Sequence, residues 1–330
     1  MAKLPLVVAC GDYDRVQALA NGQVEIPGCE VNFLTMGPEE LFFRAFRGGE
    51  FDVCEISFST YLISCDKGAS PYIAIPVFPS RMFRHSAIYV RSDRSINAPH
   101  DLKGKRVGVP EYQMTAALWV RGLLEDEYNV SPADFVWYSG GLHEPSRKDK
   151  VKLTLPASIS IHPIGPEEML DDMLVTGDLD ALITPRVPNS FARGNPLVRR
   201  LFPEYREASK AYYRKTGLYP IMHGLGIRRT LVEENPWLAS SVMDAFERAK
   251  QIALERLRDC TALRVSLPFL DAEIDETVAL MGTDPWPYGL EPNRKTLEAT
   301  LDYAYRHGTT SRRLGVEEIF APTTLERFKI

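Results

Sequence analysis

Two stretches of this chain repeat each other. Residues 38–53 read PEELFFRAFRGGEFDV, and residues 166–181 read PEEMLDDMLVTGDLDA, an ungapped match. In each, a proline and two glutamates suit the first turn of a helix. The missing proline N–H costs nothing there, and the carboxylates meet the positive end of the dipole. Apolar pairs follow at helical spacing: Leu41, Phe42, Ala45 and Phe46, then Met169, Leu170, Met173 and Leu174. Gly49 and Gly177 supply the stop. The runs Val53-Cys54-Glu55-Ile56 and Ala181-Leu182-Ile183 then read as buried strands. The repeat predicts two related α/β lobes, which suits 330 residues, too many for one simple core.

Each lobe has an opening strand, Leu4–Cys10 in the first and Arg106–Val109 in the second. Strand–loop–helix units in series imply two mostly parallel sheets. The extended runs Ser86–Arg91 and Ile221–Ile227 read as two crossings of a hinge. The division is therefore residues 1–87 plus 224–330 for lobe one and 88–223 for lobe two. Residues 142–164 read as a polar loop with a hairpin. The C-terminal third reads as helical. Asn235-Pro236 caps a stripe of Leu238, Val242, Phe246, Ala249, Ala253 and Leu257, and further helices cover Ala272–Met281 and Arg294–Arg306. A cleft between the lobes is the expected ligand site, because ligands in such sheets bind beyond the carboxyl ends of the strands.

Charge narrows the partners. Lys and Arg number 39 against 44 Asp and Glu, a net charge of −5. No basic face is implied, so neither nucleic acid nor a membrane surface is an expected partner. The first apolar run ends at Cys10 and is followed by Asp12 and Asp14, unlike a secretory signal, so a cytoplasmic location is expected. Five cysteines without a CxxC pair read as reduced, mostly buried thiols.

The segments that follow strands, or sit at the hinge, are rich in Arg, His and Tyr. Arg81, Arg84 and Arg186, with Arg15 as a fourth, suit bidentate grip on carboxylates, although a surface acid satisfies an arginine equally well. Backbone N–H groups at Thr115 form a second anion site if that helix points at the cleft. Ser57 follows a strand. Tyr13 and Tyr112 suit hydrogen bonding to a ring substituent, or walling the ring. His85 and His223 both sit where hinge strands start. Each is either a cleft residue or a buried histidine satisfied by the backbone. No close metal-ligand spacing, phosphate loop or nucleophile elbow occurs.

The runs Ala9 to Arg15 (ACGDYDR), Ile75 to His85 (IPVFPSRMFRH), Asp101 to Ala117 (DLKGKRVGVPEYQMTAA), Tyr219 to His223 (YPIMH) and Trp286 to Arg294 (WPYGLEPNR) resemble the 4,5-dihydroxyphthalate decarboxylase family. The likeness is colinear along almost the whole chain. It implies a two-lobed fold like that of type II periplasmic binding proteins. It also implies conversion of 4,5-dihydroxyphthalate to protocatechuate and carbon dioxide, a small aromatic dicarboxylate as the partner, and a homo-oligomer. No cofactor is implied, while a divalent metal held by substrate oxygens and scattered ligands stays open. For that chemistry His85 is the leading proton carrier, His223 and Glu111 are alternates, and Asp12 is a candidate base for a phenol. The alternative is a non-catalytic solute-binding protein for an aromatic carboxylate.

Overall fold

The computed structural model describes residues 2–145, 153–259 and 261–325. Its strands are β1 (Leu4–Cys10), β2 (Cys29–Thr35), β3 (Val53–Ser57), β4 (Tyr72–Arg81), β5 (Ile88–Arg91), β6 (Arg106–Val109), β7 (Val136–Ser139), β8 (Ile161–Pro163), β9 (Ala181–Ile183), β10 (Val198–Arg200) and β11 (Ile221–Arg228). They form one sheet in the order β2-β1-β3-β11-β4 and another in the order β10-β5-β9-β6-β7-β8.

In each sheet one strand opposes the rest. β11 lies antiparallel between β3 and β4, and β5 lies antiparallel between β9 and β10. The other paired neighbours are parallel. Each reversed strand is the first strand made after the chain crosses from the other lobe. Outward from it the sheets correspond: β3-β1-β2 in the first matches β9-β6-β7 in the second. The sequence repeat falls on this symmetry, because helix Pro38–Gly48 leads to β3 and helix Leu170–Thr176 leads to β9. Both helices end on a left-handed glycine, Gly49 at φ 57° and Gly177 at φ 90°. The second helix starts later than the repeat suggests. Glu168 folds back to accept the Gly165 N–H at 2.6 Å, which holds Pro166–Glu168 in a turn.

Three expectations need correction. Ile221–Ile227 is not a crossing but part of a full strand inside the first sheet, so a boundary at 223/224 falls within β11. The crossings are the segments before β5 and before β11, and they are joined where Met82 N–H donates to the Pro220 carbonyl at 3.1 Å. No hairpin closes the 142–164 region among the described residues, since β8 adds parallel to β7. Residues 146–152 and Cys260 lie outside the described residues. Asn235 does not cap the long helix Leu238–Arg258. It closes the short helix Arg229–Glu234, donating its side-chain amide to Leu231. Helices Leu270–Met281 and Arg294–Arg306 form where their apolar spacing predicts. No helix among the described residues is long and apolar enough to cross a membrane.

Helix Thr115–Tyr128 serves both lobes. Trp119 and Leu123 join the core of the first, while Val120 and Leu124 join that of the second. Trp119 Nε1 donates to the Ile221 carbonyl at 3.0 Å, tying the helix to the start of β11. Gly122 lets the Tyr303 ring lie directly on this helix, where an added Cβ would sit 2.4 Å from ring carbons. The ring cannot retreat easily, because it packs edge-on to Trp119 and its hydroxyl donates to Asp126 at 2.8 Å. Gly122→Ala is therefore expected to destabilise by ~1–3 kcal/mol through overpacking, partly offset by better helix propensity. Urea unfolding checks this; a midpoint equal to or above the parent's would show that the ring yields freely.

Candidate active site

The parallel strands end at the junction of the lobes, and the reversed strand β11 begins there. Between them lies a cavity of about 210 Å³, lined by Phe42, Ser57, Thr60, Met222 and His223 from lobe one, and by Glu111, Gln113, Thr115 and Arg186 from lobe two. Arg84, from the first crossing, completes the wall. That is room for on the order of seven waters, and so for one small molecule.

The pairing of β11 with β3 sets the main polar group. His223 lies opposite Ser57 and Leu225 opposite Glu55, which puts His223 and Glu55 on one face as diagonal neighbours. His223 Nδ1 meets Glu55 Oε1 at 2.5 Å. The Glu55 side chain is fully buried. It also accepts the Tyr13 hydroxyl at 2.8 Å on Oε1 and the Gly11 N–H at 2.8 Å on Oε2. Burial alone would raise its pKa, but the charge and hydrogen bond of His223, with the Gly11 and Tyr13 donors, hold it below the usual carboxylate range. An ionised Glu55 fixes the proton on His223 Nδ1 and leaves Nε2 as the working nitrogen. Phe42 stands edge-on to the imidazole, with centroids 4.8 Å apart.

The cavity also has an uncompensated cation. Arg84 is 8% exposed, yet its hydrogen bonds go to thioethers: Nε to Met222 Sδ at 3.0 Å and Nη1 to Met82 Sδ at 3.5 Å. No carboxylate pairs with it among the described residues. Burial pushes its pKa down to about 10, so the guanidinium stays charged near neutral pH. An anion entering the cavity would supply the missing countercharge.

Two helix amino ends meet on the cavity floor. Ser57 precedes helix Phe58–Asp66, and Thr115 opens helix Thr115–Tyr128. They face each other across the lobes, with Ser57 Oγ 3.3 Å from Thr115 Oγ1, and with Ser59 N–H donating to Thr115 Oγ1 at 3.1 Å. Both helix dipoles thus turn their positive ends towards the cleft. Glu111 is buried on the lobe-two wall and accepts Gln113 Nε2 at 2.8 Å. Arg186 reaches across the mouth to Glu39 at 2.9 Å, the two side chains being half-exposed.

Ser57, Arg84, Glu111, Thr115, Arg186 and His223 therefore converge, whereas other candidates do not. His85 is buried in the hinge, with Nδ1 3.0 Å from Ser209 Oγ and its ring against Phe202 and Tyr212. Burial lowers its pKa to about 4 and leaves it neutral, a packing residue between the crossings. Arg81 turns inside lobe one, bonded to Asn293 and lying over Phe78 and Tyr219. Arg15 is pinned to the Pro79 carbonyl between the Tyr13 and Trp286 rings. Tyr112 points into lobe two, its hydroxyl on the His307 carbonyl and Arg121 stacked on its ring. Asp12 is exposed and held by Gln17. Tyr13 serves Glu55 rather than lining the cavity. Arg186 lines it but is already committed to Glu39. Glu55 itself was not singled out from the sequence. Its signal was a glutamate inside an otherwise apolar strand. Among the described residues no three His, Cys, Asp or Glu side chains are grouped as metal ligands.

Known proteins resemble this chain in three respects: a family model, curated relatives and solved structures. The family model for a periplasmic substrate-binding protein of a phosphonate ABC transporter matches residues 14–147. A 4,5-dihydroxyphthalate decarboxylase of Comamonas testosteroni is 46% identical over 330 residues, covering 100% of both chains. One of Pseudomonas putida is 47% identical over 214 residues, covering 65% of this chain and 83% of that one. Among solved structures, the periplasmic aliphatic sulphonate binding protein SsuA of Escherichia coli aligns with a TM-score of 0.54 at 14% identity, over 98% of this chain and 99% of that one. A periplasmic sulfonate-binding protein of Methylobacillus flagellatus aligns with a TM-score of 0.57 at 14% identity, over 98% and 93%. These structures bear on the fold alone, and they establish the two-lobed binding-protein-like architecture.

The lowered pKa of Glu55 carries a pH signature. A carboxyl depressed on folding contributes stability that is full above its unfolded value and lost as pH falls through its folded value. The stability difference between the parent and Glu55→Gln is therefore expected to be largest near neutrality and to shrink on acidification. Denaturant unfolding across that range tests it; a constant difference would mean that Glu55 is not ionised in the fold.

Proposed function

Since the chain belongs to the 4,5-dihydroxyphthalate decarboxylase family, we propose that the interlobe cavity is where 4,5-dihydroxyphthalate loses one carboxylate to give protocatechuate and carbon dioxide. The observation that carries this assignment is the buried Glu55–His223 pair at 2.5 Å, on the wall of a cavity that also holds the unpaired Arg84. A binding protein needs the cation. It does not need a histidine whose tautomer is fixed by a buried carboxylate.

The chemistry demands this combination. Direct loss of carbon dioxide would leave an unstabilised aryl anion. A hydroxyl para to the departing carboxylate gives another route, by pushing its electrons into the ring. The ring carbon bearing that carboxylate then takes a proton from His223 Nε2. The bond to the carboxylate breaks, its electron pair restores aromaticity, and carbon dioxide departs. The histidine regains its proton from water or from the phenol, so the reaction consumes one proton overall. Glu55 stabilises the imidazolium before transfer and keeps the ring aligned. Arg84 and the helix amino ends hold the spectator carboxylate, fixing which ring carbon faces His223.

Incubating the purified protein with 4,5-dihydroxyphthalate and following carbon dioxide and protocatechuate tests the proposal directly; binding without turnover would favour a plain solute-binding role. His223→Gln is expected to lower kcat by ~10²–10⁴-fold while leaving substrate affinity within a few-fold. A variant with near-normal kcat would remove His223 from the proton transfer. Arg84→Met is expected to raise KM about ten- to a hundredfold. The ligand-free variant should be at least as stable as the parent, because the change deletes a buried charge that has no carboxylate partner. Unchanged KM, or a marked fall in thermal stability, would make Arg84 structural.

A further inference from the structure

We propose that Met82 is a modification site, where oxidation of its thioether to a sulfoxide turns a weak partner of Arg84 into a strong one and loosens the cavity's grip on the substrate carboxylate. Its effect on turnover rests on the decarboxylase reading above, to which it adds a regulation of the same site. Met82 stands in the first crossing, directly after β4. Its N–H donates to the Pro220 carbonyl of the other crossing, which ties the backbone there. The residue is 47% exposed, and of the methionines among the described residues it alone is exposed, the others being half-buried or buried. It lines a cavity of about 440 Å³, separate from the active one, together with Phe83, Tyr219, Leu280 and Met281. Its sulfur nevertheless lies 3.5 Å from Arg84 Nη1. The side chain is thus open to small solutes on one side and touches the cation of the active cavity on the other. Met222 holds Arg84 Nε in the same manner at 3.0 Å but is 1% exposed, so the two thioethers differ in access and not in chemistry.

A thioether has no proton to lose, so access rather than ionisation decides which methionine a peroxide reaches first. A sulfur lone pair attacks one oxygen of hydrogen peroxide, and the O–O bond breaks as the S–O bond forms. The second oxygen leaves as hydroxide and takes the proton left on the first, giving water and the sulfoxide. Sulfur loses the electron pair that the peroxide gains. Before the reaction, Arg84 faces a sulfur that accepts hydrogen bonds poorly. Afterwards the same sulfur carries a strong acceptor, and the unbranched side chain has the torsional freedom to bring that oxygen to Nη1. The oxygen then competes with an incoming carboxylate for the guanidinium donors. It brings no full negative charge, so Arg84 stays cationic and binding is weakened rather than abolished. His223 and Glu55 are not touched by the change, so the proton transfer keeps its rate.

The test treats the whole protein stepwise with hydrogen peroxide, locates the added oxygen by peptide mass spectrometry, and follows KM and kcat with 4,5-dihydroxyphthalate. Met82 is expected to be oxidised ahead of the other methionines, with KM rising about three- to tenfold and kcat unchanged. That rise is smaller than the one expected for Arg84→Met, because the cation remains. Methionine sulfoxide reductases for both sulfoxide epimers should return KM to its starting value. Met82→Leu, measured against its own untreated value, should show no rise under the same treatment. Earlier oxidation of another methionine, an unchanged KM after full oxidation of Met82, or the same rise in Met82→Leu would overturn the proposal. If the untreated parent releases no carbon dioxide, the decarboxylase reading falls by itself. The calorimetric Kd for the same diacid then decides the Met82 site: a rise on oxidation upholds it, and no change overturns it.

Discussion

A fully buried carboxylate must be compensated or it unfolds its surroundings, and Glu55 is such a group. Leaving it unpaired would cost several kcal/mol. Its partners come from two separate parts of the chain: the Gly11 N–H and Tyr13 hydroxyl after β1, and His223 at the start of β11. Meeting this one demand fixes how the first loop closes over the sheet and how β11 registers against β3. The electrostatics that stabilise lobe one therefore also orient the imidazole at the cavity. Tyr13 acts through this network and has no need to touch a ligand.

Arg84 presents the opposite case, a buried charge whose partners are two sulfur atoms. Thioethers are weak acceptors and carry no countercharge. Stability alone gives no reason to keep a guanidinium there. An incoming carboxylate does, because the energy spent in burying the cation is then recovered as binding. The contrast with Arg186 is instructive. Its bridge to Glu39 is half-exposed and worth ~0–1 kcal/mol, so it can open without disturbing either lobe.

The architecture was more legible in the sequence than the site. The repeated helix–glycine–strand unit marks β3 and β9, because a left-handed glycine stop and an apolar strand are local features. The insertion of β11 into the first sheet was not visible, since strand neighbours are a long-range fact and Ile221–Ile227 reads equally well as a connector. The histidines show the same limit. His85 and His223 both border hinge strands, and only packing separates them: one meets Ser209, Phe202 and Tyr212, the other meets Glu55. Arg81 and Arg84 stand three residues apart, on either side of the end of β4. The strand turns the first inward to Asn293, and the crossing carries the second to the cavity. Glu55 passed unnoticed because an apolar strand with one acid resembles ordinary alternation until both faces prove buried.

The same fold serves to bind ligands and, in this family, to react with them, and the two tasks ask different things of one cleft. Binding needs an anion site formed as the lobes meet, which the opposed helix ends at Ser57 and Thr115 provide from either side. Decarboxylation needs in addition a proton delivered to a carbon atom, which no backbone dipole can supply. The start of the reversed strand suits that task, because β11 is held along both edges by β3 and β4. A side chain there is held more firmly than one on a loop, and its partner on β3 is placed by sheet register rather than by loop conformation. In the proposed mechanism the proton carrier stands on the sheet and the anion grip at the helix ends, which separates positioning from charge.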